Sequence, residues 1–163
     1  MAEITLIAKL LFLLIVANGS PVLAKRLLRG RLAHPLDAGR QFIDGRPILG
    51  ASKTLRGVLI SISATALAAM LTGETAAIGL VIGAASMAGD LLSSFTKRRL
   101  GLPPSSQALG LDQIPESLLP ALAAMPLLGL SLAGVAIVVA LFFAGGLVLS
   151  RWLYRIGLRE HPY

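Results

Sequence analysis

The stretch TAAIGLVIGAASMAGDLLSSFTKRRLG, residues 75–101, decides what kind of fold this chain forms. Residues 75–89 carry no charge, Asp90 then interrupts the apolar run, and three cations at residues 97–99 close it. A segment of about 20 apolar residues crosses the hydrocarbon core of a bilayer, so this run predicts a transmembrane helix. A charge inside such a helix costs about 2.5–3.5 kcal/mol, which makes Asp90 a candidate functional residue.

The composition of the whole chain agrees with a membrane protein. Of the 163 residues, 55% are hydrophobic, and the mean hydropathy of +0.80 is too high for a soluble domain of this size. The absence of cysteine excludes disulfides and thiolate metal sites, and two histidines make a histidine-built metal site unexpected. The net charge of +7 is concentrated in a few loops, and no nucleic acid is expected as a partner.

Four further apolar segments accompany this helix. Together they predict an all-α polytopic membrane protein, with five transmembrane helices forming one membrane-embedded domain. Pro120 and Pro126 interrupt the fourth segment, so four spans with a re-entrant fourth segment is the alternative. The first segment contains the kink-prone NGSP at 18–21, and it is long for the other interpretation, a cleaved signal peptide. The predicted spans are residues 4–24, 55–73, 75–95, 114–130 and 132–150.

The distribution of Lys and Arg among the loops predicts the topology. These residues lie in loops 25–54 and 96–113 and in the tail after residue 150, whereas residues 72–76 and the turn at 130–133 carry none. The positive-inside rule therefore places the N-terminus outside, the C-terminus in the cytoplasm, and both basic loops on the cytoplasmic side. An even number of spans would break this alternation.

Polar residues recur along one face of the third predicted helix. Ser94 follows Asp90 at i+4 and Lys97 follows it at i+7, and Asp90 lies about 10 Å below the cations. This pattern indicates a polar cavity that opens to the cytoplasm, and the alternative is an internal salt bridge that only locks the bundle.

The first basic loop is rich in glycine, with two aspartates and several cations. Gly45 and Gly50 are followed by Lys53 and Thr54, which is close to a phosphate-binding Walker A motif. Two extra residues intervene and no strand precedes the loop, so it is not a P-loop. Glycine-rich backbone beside Lys and Arg still suits a phosphate site. The alternative is that these cations only fix the orientation of the chain and attract anionic lipid.

Acidic residues mark the start of the fourth predicted helix. We interpret Glu116 as a helix-start residue that interacts with the helix dipole. Asp112 is different, because together with Asp90 it suits a Mg²⁺ ion held by one or two aspartates and by substrate phosphates. Asn18 is a weaker candidate for the same cavity, and a simple interhelical hydrogen bond is an equal explanation.

Five motifs in this chain resemble those of the CDP-archaeol synthases, a branch of the membrane CTP:lipid-phosphate cytidylyltransferases. The resemblance covers residues 17 to about 120 and includes the five-helix layout. The segment S-F-x-K-R also resembles the signature of the larger CDP-diacylglycerol synthases. The motifs are ANGSPVL (17–23), HPLDAGR (34–40), DGRPILGASKTLRG (44–57), GDLLSSFTKRRLG (89–101) and LDQIPE (111–116).

The resemblance implies that CTP and a lipid phosphate, of the archaeol or phosphatidic-acid type, give a CDP-lipid and pyrophosphate with Mg²⁺ as cofactor. Asp90 and Asp112 would be the metal ligands, and Lys97 and Arg98 would bind triphosphate oxygens. Membrane lipids are the other expected partners, and the oligomeric state is left open. A small transporter or channel subunit that uses Asp90 is the alternative function, and a plain lipid-binding membrane protein is a third. Residues implied to line the substrate pocket are Asn18, Ser20, Asp44, Gly45, Arg46, Lys53, Thr54 and Ser94.

Overall fold

Five helices, and no strand, make up the described part of the chain in this computed structural model. The structure describes residues 2–104, 106 and 108–155, with side chains for residues 3–104, 106 and 108–149. The all-α prediction with five helices is confirmed. Cations of the predicted tail, the side chains of Arg151 and Arg155 and all of Arg159, lie outside the described residues. The helices are α1 (Ala2–Leu28), α2 (Leu55–Leu71), α3 (Ala76–Arg99), α4 (Gln113–Leu128) and α5 (Leu132–Arg155).

The helices differ in how well their length and composition suit a membrane. Three helices of the described chain are long and apolar enough to cross a bilayer, over Glu3–Leu28, Ala76–Arg99 and Leu132–Leu149. The other two are shorter: α2 has 17 residues and α4 has 16. At about 1.5 Å per residue, each is shorter than the roughly 30 Å of a bilayer core.

Side-chain contacts define two ends of the bundle. At one end the ammonium of Lys9 lies 2.6 Å from the carboxylate of Glu74, and Glu3 accepts hydrogen bonds from Ser131. The start of α1 therefore lies beside the α2–α3 and α4–α5 turns. The opposite end carries the longer connections, and we call residues 29–54 and 97–112 the basic end.

Three prolines lie inside helices that continue through them. Helix α1 is not broken at the kink-prone NGSP and continues past Pro21. Proline cannot donate to the carbonyl four residues earlier, and here that carbonyl, Ala17 O, accepts a 2.7 Å hydrogen bond from Ser61. The expected interruption of the fourth segment is wrong, since α4 continues through Pro120 and Pro126.

Glycines set the close packing of α3 against its neighbours. A Cβ added at Gly79 would lie 2.5 Å from the Cα of Ala66, and one at Gly83 would lie 3.0 Å from the Cα of Ile62, so both glycines face α2. Gly89 instead faces α4, where its added Cβ would lie 2.2 Å from the carbonyl oxygen of Pro115. Helix α3 therefore lies tightly between α2 and α4, and Asp90 lies directly beside the α4 contact.

Candidate active site at the basic end

Two lysine–aspartate pairs form the centre of the candidate site. The ammonium of Lys53 lies 2.5 Å from Asp90, and that of Lys97 lies 2.5 Å from Asp112. Asp90 and Lys97 share a face of α3, but seven residues separate them by about 10 Å along the helix axis. Each therefore pairs with a group on another element, and Asp90 forms its salt bridge with Lys53.

Glu116 adds a third carboxyl group that the sequence did not assign to the site. It lies in the first turn of α4, as expected, but its side chain lies close to Asp90 and within electrostatic reach of Lys53 and Asp112. The signal was present in the sequence, since Glu116 follows Asp112 by four residues and i, i+4 positions share one face of a helix. Three acids and two lysines thus converge from the first basic loop, α3 and the start of α4.

A chain of hydrogen bonds connects α1, α3 and α4 beside these acids. Asn18 donates to Ser86 Oγ at 3.1 Å, and Ser86 donates at 3.4 Å to the carbonyl oxygen of Glu116. That carbonyl is the one that Pro120 leaves without an intrahelical donor. Asn18 therefore makes the interhelical hydrogen bond that was the alternative explanation for it.

The hydroxyl group of Ser20 and the whole of Ser94 are shielded from solvent. The side-chain oxygen of Ser20 has no hydrogen-bond partner among the described residues. Ser94 is 3% exposed, so it lies inside the protein rather than on an open surface.

Asp37 organises the loop that carries Lys53. Its carboxylate accepts backbone hydrogen bonds from Gly39 at 3.0 Å and from Leu49 and Gly50 at 2.9 Å each. Burial alone would raise the pKa of Asp37, but the amides of Gly50, Leu49 and Gly39 together lower it below the ordinary 3.8. The Lys53 carbonyl then accepts from Leu36, so the loop closes with Lys53 fixed.

Thr54 and Asp44 have structural partners in this loop. Thr54 is the N-cap of α2, with its side chain accepting from the amide of Gly57. Asp44 binds Arg99 at 2.7 Å and accepts from the amide of Arg46. Gly45, which lies between Asp44 and Arg46, has a φ of +73°, a conformation that favours glycine.

Arg99 joins the loop to the end of α3. Its guanidinium lies 4.7 Å from the ring centroid of Phe42 and 5.0 Å from that of Phe95, and it donates to the carbonyl of Pro47 at 2.5 Å. Stacked and bidentate contacts of this kind suit Arg rather than Lys. The basic end is therefore an ordered assembly, with the glycine-rich loop held against α3.

Lys97 and Arg98 were expected to act together, but they point to different places. Residues adjacent in a helix differ by about 100° around its axis. Lys97 faces Asp112, whereas Arg98 lines a separate cavity with Arg46.

The carboxyl groups suit a metal ion only in part. The described residues contain no group of three or more His, Cys, Asp or Glu side chains placed to hold a metal ion. Mg²⁺ is commonly held by one or two carboxylates together with substrate phosphates, rather than by a cage of protein ligands. The adjacent oxygens of Asp90 and Glu116 fit that arrangement. The donor set therefore suits a Mg²⁺ ion that arrives with a polyphosphate.

This apolar bundle, with a partly buried charged cluster at one end, is typical of an intramembrane enzyme, and comparison with known proteins identifies the family. The profile of the CarS-like CDP-archaeol synthases matches residues 3–78 and 72–163. The chain belongs to this family, and the resemblance noted from its motifs is confirmed.

Individual relatives agree with this assignment. The chain is 45% identical over 113 residues to a CDP-archaeol synthase of Pyrobaculum calidifontis, covering 64% of this chain and 67% of the relative. It is 35% identical over 104 residues to one of Saccharolobus solfataricus, covering 61% and 59%. The matched regions thus span about three fifths to two thirds of these relatives.

A solved structure of an intramembrane enzyme for archaeal membrane lipids biosynthesis has the same fold. Its TM-score is 0.73 at 30% identity, and the match covers 86% of this chain and 90% of the other. Together with the apolar helices, this likeness supports an integral membrane protein. The comparisons support neither the transporter alternative nor a phosphatidic-acid-type substrate.

Proposed function

We propose that this protein is a CTP:lipid-phosphate cytidylyltransferase that converts an archaeol-type lipid phosphate and CTP into a CDP-activated lipid and pyrophosphate. The observation that carries the proposal is the cluster of Asp90, Glu116 and Asp112 with two lysines at one end of an apolar bundle. Charged clusters inside membrane proteins are expensive and mark functional sites. The family membership supplies the reaction type.

The reaction needs positioning and charge neutralisation more than acid–base chemistry. A phosphate oxygen of the lipid attacks the α-phosphorus of CTP, and the bond to the β-phosphate breaks as pyrophosphate leaves. The lipid phosphate is already an anion, so no protein base is required. Lys53 and Lys97 pair with Asp90 and Asp112, and we expect both lysines to turn toward phosphate oxygens when substrates bind.

Mg²⁺ is the proposed cofactor. Asp90 and Glu116 would hold it, and Asp112 lies within electrostatic reach of Glu116. The ion would offset phosphate charge and orient the reacting groups. Asp90 and Glu116 lie close enough to interact electrostatically, and a nearby cation favours the charged form of each carboxylate.

The location of the site suits substrates that come from different phases. A lipid headgroup lies at the membrane interface, and CTP arrives from water. We propose that the basic end faces the cytoplasm, with the N-terminus outside, because the loops at that end carry most of the Lys and Arg residues. The glycine-rich loop, with Asp44, Gly45 and Arg46, would then receive the nucleotide.

Turnover by purified protein tests the proposal. The full chain in detergent is incubated with radiolabelled CTP, MgCl₂ and a panel of isoprenoid-ether and acyl lipid phosphates, and the lipid phase is assayed for CDP-lipid. We expect CDP-lipid from the ether lipid phosphate. The rate of its formation should fall at least about 100-fold in Asp90→Asn and in Glu116→Gln. If the protein reconstituted into vesicles takes up labelled CTP and forms no CDP-lipid, the result would instead indicate transport.

A matched variant distinguishes the loss of a site carboxylate from the loss of an ion pair elsewhere in the bundle. Glu74→Gln also removes a carboxylate from a lysine pair, but at the opposite end of the bundle. It should keep normal turnover. Equal losses in Glu74→Gln and Asp90→Asn would show that ion pairing, and not the proposed chemistry, explains the effect.

A further inference from the structure

The first basic loop carries an exposed apolar side chain that the proposed chemistry does not use. The amide of Gly45 donates to the carbonyl oxygen of Phe42 at 2.9 Å, which closes a tight turn. We call residues 42–45 the loop tip. Ile43, within this turn, is 95% exposed. Tight turns usually carry Gly, Pro, Asn, Asp or Ser, so an isoleucine that packs against nothing in the turn is unusual.

Contacts on both sides of Ile43 hold the loop tip against the end of α3. The ring of Phe42 packs edge-to-face on that of Phe95, with 5.3 Å between the ring centroids. The guanidinium of Arg99 lies over both rings and binds the carboxylate of Asp44 at 2.7 Å. Ile43 is therefore presented in a fixed position relative to α3.

The loop tip adjoins the face of α3 that faces lipid. Leu92, Phe95 and Arg99 follow one another at i, i+3 and i+7, which is the spacing of one helix face. Leu92 is 50% exposed, and Val81, about three turns earlier on the same face, is 42% exposed. Because α3 is long and apolar enough to span a bilayer, large apolar side chains exposed on it face lipid tails. The loop tip thus continues this apolar surface at the basic end, so Ile43 is not an isolated exposed side chain.

The loop tip also lies at the depth of the bilayer boundary. Helix α3 starts at Ala76, two residues after the charged Glu74, so the hydrocarbon core starts close to Ala76. A core of about 30 Å corresponds to about 20 residues of helix. Phe95 therefore lies at the far boundary, and Arg99 lies about 6 Å beyond it, among the lipid headgroups. Since the loop tip packs on Phe95, it lies at the same level.

We propose that the loop tip is a membrane-surface anchor, with the side chain of Ile43 inserted at the boundary between lipid headgroups and hydrocarbon. An apolar side chain beside cations is the composition that binds this layer. Arg40 and Arg46 are exposed on the same loop and suit anionic headgroups, while the carboxylate of Asp44 is already paired with Arg99. The inference rests on α3 spanning the bilayer and not on the reaction proposed above.

A single fluorescent label tests the anchor. The chain has no cysteine, so Ile43→Cys can carry one environment-sensitive fluorophore, and replacing so exposed a side chain should leave the fold intact. The labelled full chain is reconstituted into vesicles of equal parts phosphatidylcholine and phosphatidylglycerol, with bromine on the acyl chains near the headgroup, at the chain end, or absent. We expect strong quenching by bromine near the headgroup, weaker quenching by bromine at the chain end, and emission at shorter wavelength than from a label in water.

Two other label positions serve as controls. Leu92→Cys places the label on the lipid-facing side of α3, and bromolipid should quench it at least as strongly. Arg40→Cys places it on an exposed position whose carbonyl pairs with the amide of Ile48, away from the loop tip. That label should be quenched by acrylamide dissolved in the water and little by bromolipid. Equal bromolipid quenching at residues 40 and 43, or none at residue 43, would overturn the anchor.

A label beside an unlabelled loop tip excludes insertion driven by the fluorophore itself. Gln41→Cys carries the label, and its partial quenching by bromolipid should be lost when Ile43→Asp is added and kept when Ile43→Leu is added. Quenching that is the same in both double variants would show that Ile43 does not hold the loop at the membrane.

The same labels distinguish a second copy of the chain from lipid as the partner of Ile43. Protection of the residue 43 label from acrylamide without quenching by bromolipid, together with disulfide-linked dimers of unlabelled Ile43→Cys, would assign the loop tip to a contact between copies. That result would overturn the membrane anchor.

Discussion

Adding one methyl group at Gly89 should move the start of α4 away from Asp90. An alanine Cβ at this position would lie 2.2 Å from the carbonyl oxygen of Pro115 and 2.8 Å from the amide nitrogen of Glu116, whereas ordinary contacts are 3.4–4 Å. Both nearest groups are backbone, so no flexible side chain can move aside. Helix α4 must therefore shift by about 1 Å relative to α3, and Glu116 shifts with it.

The size of this shift sets the expected loss. A misplacement of about 1 Å at a catalytic site costs on the order of 100-fold in rate, and overpacking costs about 1–3 kcal/mol of stability. We expect Gly89→Ala to insert and fold with a lowered melting temperature, and to lose about 100-fold in kcat/KM for CDP-lipid formation. The assay is initial-rate turnover in detergent, with thermal unfolding measured on the same preparations.

Gly19→Ala is the matched control. Gly19 also lies inside a helix, but an added Cβ there has no atom within 4 Å. Alanine should stabilise α1 by about 0.5–1 kcal/mol and leave turnover unchanged. If Gly89→Ala keeps more than half of the wild-type kcat/KM, the close contact between Glu116 and Asp90 is not needed for the reaction.

Three further perturbations test other contacts. Ser61→Ala should cost about 1 kcal/mol in thermal unfolding, and almost nothing when combined with Pro21→Ala, because the restored backbone amide then pairs with the freed carbonyl; additive effects would contradict this. The lowered pKa of Asp37 means that its stabilising contribution is complete above pH 3.8 and is lost as the pH falls through the lower folded value. The melting temperatures of wild type and Asp37→Asn should therefore differ most at neutral pH and converge in acid, and a constant gap would argue against an ionised Asp37. Lys53→Met should lower kcat/KM at least about tenfold by leaving Asp90 without its cation, with part of the loss recovered in Lys53→Arg, and normal turnover in Lys53→Met would exclude the role.

Hydropathy was sufficient to predict the helices, because the length of an apolar run depends on local sequence. The starts of α2 to α5 fall within one residue of the predicted positions. Proline left open a kink at residues 18–21 and an interrupted fourth segment, since its local effect is to remove a hydrogen bond. At residues 21 and 120 a serine from another helix supplies the missing donor, and only the tertiary structure shows that partner.

The sequence identified individual candidate residues of the site, but not which of them contact each other. An acid inside an apolar helix is visible in any sequence, and so Asp90 was identified. Its partner Lys53 lies 37 residues away, and no spacing rule connects a loop to a helix over that distance. Glu116 could have been found from its i, i+4 relation to Asp112, but an acid at a helix start has a sufficient local explanation, which concealed its role.

The two proline-freed carbonyls explain how an apolar bundle can position a charged cluster. Hydrophobic contacts between helices in lipid are weakly directional, so they do not fix the rotation of one helix against another. A carbonyl released by proline accepts a hydrogen bond only from a donor in one direction. At Pro120 that donor is Ser86, which lies one turn before Asp90 on α3 and is itself bound by Asn18 of α1. The rotation of α4 that satisfies this bond is also the one that brings Glu116 to Asp90. Proline therefore makes the orientation of α4, and with it the geometry of the three acids, depend on a polar contact rather than on packing alone.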